Sequence, residues 1–174
     1  MRKLEIVPWT ESWFDLYRKE EVLLKSIFSN ELLEIHHIGS TSVPHIGFAK
    51  PIIDILIVVK DIDKVDDYNE QMVVHGYKPQ GEHGIVGRRY FPKGGDQRTH
   101  HVHIFEAGDI NIQRHLNFKE YLMNHPDEAK SYGILKLYLA KQSPDHVSAY
   151  QDGKEAFCTE IVTKAMKWAA ERKK

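Results

Sequence analysis

HHIGSTSVPHIGFAKPIIDILIVVK, running from His36 to Lys60, is the stretch on which the fold turns. An apolar run breaks at Gly39-Ser40 and a polar turn follows. A longer apolar run then starts after Pro51, with one carboxylate, Asp54, set inside it. The β-branched residues of that second run, bounded by Pro51 and by the charges from Lys60 onward, predict a central strand. Strand alternation places Ile52, Asp54, Leu56 and Val58 on one face and Ile53, Ile55, Ile57 and Val59 on the other. An ionised carboxylate in an apolar strand is costly unless it meets a cation, hydrogen bonds or water. Asp54 is therefore expected to look into a wet cleft; a salt bridge to Lys50 or an arginine is the purely structural alternative. Gly39 lets the backbone bend sharply and lets an anion approach main-chain N–H groups, and the hydroxyls of Ser40, Thr41 and Ser42 add donors.

Outward from this stretch the elements follow in order. Thr10 is a candidate N-cap for an amphipathic helix whose apolar positions include Trp13, Phe14, Tyr17, Leu23 and Ile27. LLEIHHI reads as a strand ended by Gly39, and a short helix is expected near Pro44. Asp61 and Asp63 open a helix that Gly76 closes. Short strands are expected around YKPQ, IVGRRYF and HHVHIFE, with a glycine-rich turn at PKGGDQ. Three helical segments complete the chain, with Pro126 and Pro144 near the starts of the second and third. The class is α+β: a mixed β-sheet with flanking helices and a helical C-terminal part. One domain is expected over residues 1–174, with 1–108 forming the sheet core and N-terminal helix and 109–174 a helical extension.

Eleven histidines are the compositional oddity. In THHVHIFE, His101 and His103 share a strand face, so both imidazoles can reach one point. With Asp54 they form a two-histidine, one-carboxylate set suited to a transition metal, or they donate to a phosphate. A polar strand face solvated by water is the bland alternative. His36 and His37 point to opposite faces, and His37 is preferred for the site because it shares a face with Gly39. Arg88, Arg89, Lys93 and Arg98 suggest a cationic wall opposite Asp54, with Arg89, Arg98 and Lys50 as phosphate-binding candidates. Arg114, Lys136 and Lys154 read more simply as surface cations.

The order strand, Gly-Ser, linker, strand with aspartate resembles the nucleotidyltransferase fold of the polymerase β superfamily. HIGSTSVPHIGFAKPIIDI is more specifically similar to the signature of the GrpB-like family of predicted nucleotidyltransferases. HHVHIFEAGD, RHLNFKEYLMNHPDEAKSYGILKLYLA and AYQDGKEAF look like its later blocks. The resemblance implies that Gly39 and Ser40 form the phosphate-facing turn and that Asp54 is the first metal-binding carboxylate. It also implies a nucleotide or phosphorylated small-molecule ligand, with one Mg²⁺-type ion on Asp54. Three departures stand out, the first being that HHVHIF offers imidazoles where a third carboxylate is expected on a neighbouring strand. Leu56 occupies the position of the second carboxylate, although two-ion transfer needs carboxylates bridging ions about 3.5–4 Å apart. His45 replaces the glycine expected after Val43-Pro44. Three readings follow: metal-assisted nucleotidyl transfer, a non-catalytic ligand-binding module with a degenerate metal site, and a His/Asp transition-metal hydrolase.

The bulk properties narrow the partners. Net charge is −1, so no global field draws in nucleic acid or an anionic membrane. The single cysteine, Cys158, excludes an internal disulfide and falls in a helical pattern, where a buried inert thiol is expected. No apolar run reaches the length of a membrane span, and the N-terminus lacks a signal-peptide core. A cytoplasmic protein is expected.

Overall fold

The structure, a computed structural model, describes residues 4–142 and 147–173. Pro144, expected to open the last helix, lies outside them. From the N-terminus the chain forms β1 (Val7–Pro8), α1 (Ser12–Phe28), β2 (Leu32–Ile38), β3 (Phe48–Ala49) and β4 (Ile53–Val59). It continues through α2 (Asn69–Val74), β5 (Arg88–Lys93), β6 (His100–Glu106), α3 (Ile110–Asn124), α4 (Pro126–Gln142) and α5 (Val147–Arg172). The main sheet has the order β2-β4-β6-β5. Strand β4 is antiparallel to β2 and parallel to β6, and β5 is antiparallel to β6, so the sheet is mixed as expected. A short antiparallel ribbon joins β1 to β3.

Alternation along β4 divides its side chains as the sequence predicts. Ile53, Ile55, Ile57 and Val59 are buried with Val102 and Ile104 under Trp13, Leu24, Ile27 and Phe28 of α1. On the other face Leu56 and Val58 pack with Ile38, Phe105 and Ile112 of α3. Each such aliphatic side chain contributes roughly 1.5–3 kcal/mol when fully buried. A separate cluster ties α3, α4 and α5 to the turn at Val43–Ile46 through Tyr121, Leu122, Ala129, Tyr132 and Ile161. Helices therefore cover both faces of β4, except where Asp54 sits near the start of the strand. Among the described residues no helix is long and apolar enough to cross a membrane.

Three local expectations shift. Helix α1 begins at Ser12 with Glu11 in the cap position; the Thr10 hydroxyl still accepts from the Ser12 N–H at 3.3 Å. The helix expected after Asp61 is a 3-10 helix over Ile62–Tyr68 and becomes α-helical only at α2. Asp61 caps it by accepting from the Asp63 N–H at 3.0 Å, and the Asp63 carboxylate lies 3.6 Å from the Arg89 guanidinium, so both carboxylates are engaged away from Asp54. YKPQ runs beside β5 without forming a regular strand: Tyr77 bridges Lys93, and the Lys78 and Gln80 N–H groups donate to the Pro92 and Tyr90 carbonyls at 2.9 and 3.0 Å, with Pro79 at the outward position between them.

Candidate functional site

At the exit of β2, Gly39 takes φ +73° and ψ −173°, a region essentially reserved for glycine. A Cβ added there would stand 2.7 Å from the Asp54 Oδ2 atom, so the missing side chain is what lets the turn lie against the carboxylate. Ser40–Ser42 then make one 3-10 turn, closed by the Ser42 hydroxyl donating to the Gly39 carbonyl at 2.6 Å. Replacing Gly39 by alanine is expected to destabilise the fold by about 2 kcal/mol through backbone strain alone. It should also push Asp54 aside; urea denaturation together with ligand titration checks both effects.

Beside this turn lies a cleft of about 130 Å³ lined by Ser40, Thr41, Lys50, Asp54, His101, Lys136, Tyr150 and Lys154 among others. Asp54 is the only carboxylate among the lining residues. Through Lys50, Ile52 and Gln151 the cleft adjoins a larger hollow of about 630 Å³ that Arg98 and Thr99 also line. Helix α4 supplies the most unusual group. Lys136 is 2% exposed, and its ammonium donates to the Ser40 hydroxyl at 2.7 Å and stands over the Tyr132 ring at 4.5 Å. Burial, reinforced by the neighbouring Lys154 charge, pulls the Lys136 amine down to about 7. The Lys50 ammonium lies over the Tyr150 ring at 4.9 Å. Among the described residues the Tyr150 hydroxyl is buried with no hydrogen-bond partner, a state that asks for one.

Asp54 is held from the side of β6. Register places Asp54 beside His101 and Leu56 beside His103. The Asp54 Oδ1 atom lies 3.4 Å from His101 Nδ1 and 3.2 Å from His103 Nε2. Burial raises the Asp54 carboxyl, but hydrogen bonds from His101 and His103 outweigh it and hold the group well below the usual carboxylate range. Behind the imidazoles stand arginines: Arg98 Nη1 is 3.2 Å from His101 Nε2, and Arg88 Nη1 is 3.4 Å from His103 Nδ1. His115 of α3 stacks beyond, with its ring 5.4 Å from that of His103.

The structure thus brings together Gly39, Ser40, Thr41, Lys50, Asp54, His101 and His103, with Arg98 one layer behind. Three expected residues are elsewhere. Arg89 is out of phase with Arg88 on β5, and its guanidinium forks onto Asp66 at 2.8 and 3.3 Å, on the α1 side of the sheet. Lys93 is on that side too, paired with Glu20 at 2.8 Å. The expected cationic wall therefore reduces to Arg88 and Arg98. His37 pairs with Ile55 in register and faces α1, stacked on Tyr17 at 4.7 Å with Nε2 2.9 Å from the Thr41 hydroxyl. It braces the turn from behind. His36, hydrogen-bonded to Glu34, stays outside the cleft as well.

Lys136 and Lys154, read from the sequence as surface cations, instead line the cleft, with Lys136 buried; Tyr150 joins them without having been singled out. Lys136 had a signal: it shares the buried face of α4 with Ala129, Tyr132 and Gly133, where a solvated cation does not belong. Cys158, expected to be buried, is half-buried and donates its thiol to the Tyr132 hydroxyl at 3.1 Å.

His37 also sets a pH response. Burial, with the Lys119 charge, pulls its imidazole down to about 4, and burial does the same to His115. A histidine that stays neutral when folded but titrates near 6.5 when unfolded contributes stability at neutral pH that is lost as pH falls from 6.5 to 4. Urea midpoints should decline across that window, and His37→Gln should flatten the decline.

With this geometry in place, comparison with known proteins gives a consistent picture. A family model described as GrpB protein matches residues 3–164. The chain is 48% identical over 167 residues to UPF0157 protein YqkA of Bacillus subtilis, covering 96% of the chain and 48% of that relative, so it spans less than half the relative's length. It is 33% identical over 162 residues to the glutamate-rich protein GrpB of Alkalihalophilus pseudofirmus, covering 90% of the chain and 92% of the relative. The crystal structure of GrpB from Enterococcus faecalis superposes with a TM-score of 0.91 at 41% identity, covering 95% of this chain and 99% of that one. Cid1 in complex with the UTP analog UMPNPP superposes with a TM-score of 0.53 at 14% identity, covering 84% and 48%, a likeness of fold alone.

Proposed function

This chain belongs to the GrpB family and has a nucleotidyltransferase-like fold, and from that premise we propose that its cleft binds a nucleotide or phosphorylated small molecule by the phosphates. The observation that supports this most is Lys136. A buried ammonium needs a counter-charge, yet its hydrogen-bond partner is the neutral Ser40 hydroxyl, and Lys50 and Lys154 line the same cleft. Among the described residues Asp54 is the one anion of the cleft, set against three lysines. Phosphate oxygens would add negative charge in contact with Lys136 and accept from Ser40 and from the unpaired Tyr150 hydroxyl. The adjoining hollow has room for the remainder of the ligand.

The residues present do not fit two-ion nucleotidyl transfer. Leu56 is wholly buried in the apolar layer below Asp54, and leucine ligates nothing. Asp61 is used at the helix cap, and the Asp63 carboxylate faces Arg89. Asp54 alone would hold a single divalent ion accompanying the phosphates, and no transfer step follows from these side chains. Ligand binding is therefore favoured over catalysis.

Protonation of Lys136 gives the test. The ammonium form attracts phosphate, so affinity for inorganic tripolyphosphate should be high below pH 7. It should fall as pH rises through and above 7, with the midpoint displaced upward by the bound anion. Lys136→Met should weaken binding at pH 7 by tenfold or more, the scale of one charge-assisted hydrogen bond of roughly 1.5–3 kcal/mol, and should flatten the alkaline part of the profile. Equal affinity in the two proteins would refute the proposal.

A further inference from the structure

We propose that Arg88, with Arg98, fixes His103 and His101 as N–H donors to Asp54, which closes this cluster to transition-metal ions. The cluster otherwise has the composition of a metal centre: one ligand atom each from Asp54, His101 and His103 lie within 4.8 Å of one another. Separations of 3.2 and 3.4 Å suit the edges of a coordination polyhedron as well as they suit hydrogen bonds. The decision comes from the atoms behind the rings.

Arg88 is buried, and its guanidinium is anchored by two backbone carbonyls. Nε donates to the Glu82 carbonyl at 3.1 Å, and Nη2 donates to the His83 carbonyl at 2.8 Å. That fork directs Nη1 at His103 Nδ1, 3.4 Å away. Arginine has donors only and stays protonated. His103 Nδ1 must therefore present its lone pair, and in the neutral ring the proton then sits on Nε2, the nitrogen facing Asp54. His101 repeats the arrangement with its nitrogens exchanged: Nε2 accepts from Arg98 Nη1 at 3.2 Å, so Nδ1 carries the proton toward Asp54.

A metal-bound histidine shows the opposite polarity. Its lone pair faces the ion, and its other ring N–H is accepted by a carboxylate, a carbonyl or water. Here both outer positions are guanidinium donors. Seating an ion would turn each outer nitrogen into an N–H pointed at another N–H, next to two fixed positive charges. The histidines instead stabilise the ionised Asp54 carboxylate. Arg88 is thus a positioning residue that sets what the cluster accepts. This inference does not depend on the phosphate reading, because it concerns the β6 side of Asp54 and not Lys136.

Two measurements test it. Long-range proton–nitrogen correlation spectra of histidine-labelled protein should show His103 protonated at Nε2 and His101 at Nδ1, with assignments from the signals lost in His103→Gln and His101→Gln. The reverse tautomer at His103 would overturn the proposal. Titration with Co²⁺, followed by visible absorption, should show no site in the unsubstituted protein that depends on His103. Arg88→Met combined with Arg98→Met should gain one, with affinity raised tenfold or more. A stoichiometric site in the unsubstituted protein that disappears in His103→Gln would contradict the proposal. If the double variant does not fold, the tautomer spectra of the unsubstituted protein decide alone.

Discussion

Gly133→Ala is expected to destabilise the protein by about 3 kcal/mol or more and to detach Lys136 from Ser40. In α4 this glycine lies directly on the turn after β2: a Cβ built on it would stand 1.8 Å from the Ile46 carbonyl oxygen and 2.9 Å from the Ile46 carbonyl carbon. Both atoms are backbone, so no side chain can swing aside. Alanine would gain up to roughly 1 kcal/mol of helix propensity at an interior position, but forced overpacking typically costs about 1–3 kcal/mol and sometimes more. The clash wins because either α4 or the 44–46 turn must move. Lys136 is the next buried position along that face, so a lifted helix takes its ammonium away from the cleft. Guanidinium denaturation should show the lost stability, and tripolyphosphate titration of the folded fraction should show weakened binding. Unchanged stability would mean that α4 does not approach the turn this closely.

Glu20→Ala is the second large effect, about 3 kcal/mol, on the opposite side of the sheet. The Glu20 carboxylate is nearly buried on α1, and its Oε1 accepts from the Tyr77 hydroxyl at 2.7 Å and from the Lys93 ammonium at 2.8 Å. Burial raises this carboxyl, yet the hydrogen bonds from Lys93 and Tyr77 outweigh it and leave the group below its ordinary value. Removing one partner of a buried pair typically costs about 3–5 kcal/mol; Lys93 can partly relax toward solvent, which places the expectation at the low end. The Tyr77 hydroxyl, left buried, adds to the loss. Glu20→Gln keeps an acceptor for Tyr77 and should be milder. Because the folded carboxyl is the more acidic, its contribution is present above the ordinary glutamate range and is lost as pH falls below about 4.5. The difference between the parent protein and Glu20→Gln should therefore shrink in acid. Equal urea midpoints for Glu20→Ala and the parent would show that the network contributes nothing net.

Much of the architecture was legible because β-strand alternation is a strict geometric rule. The exit turn at Gly39 follows from the backbone freedom of glycine, and the faces of β4 and the face shared by His101 and His103 follow from a period of two. The same rule separates Arg88 from Arg89, and applied to β5 it would have removed Arg89 from the phosphate candidates. It misplaced His37, because a face shared with Gly39 carries no meaning once the chain turns at that residue. Tertiary placement was less accessible. Lys136 lies far along the chain from Ser40, and only the packing of α4 through Gly133 joins them. The polarity of the histidine cluster was hidden more deeply. Sequence supplies two histidines and an aspartate, which fits a metal as well as a hydrogen-bonded anion, and the carbonyls that anchor Arg88 exist only in the fold.

The most direct test of the proposed function is calorimetric titration of the metal-stripped protein with ATP, CTP, GTP and UTP, with and without Mg²⁺, alongside Lys136→Met. The cleft geometry predicts saturable binding of at least one nucleotide, weakened tenfold or more by the substitution, since the phosphates rest on Lys136 and Ser40. Absence of binding by all four nucleotides and by inorganic tripolyphosphate, or binding indifferent to Lys136→Met, would contradict it.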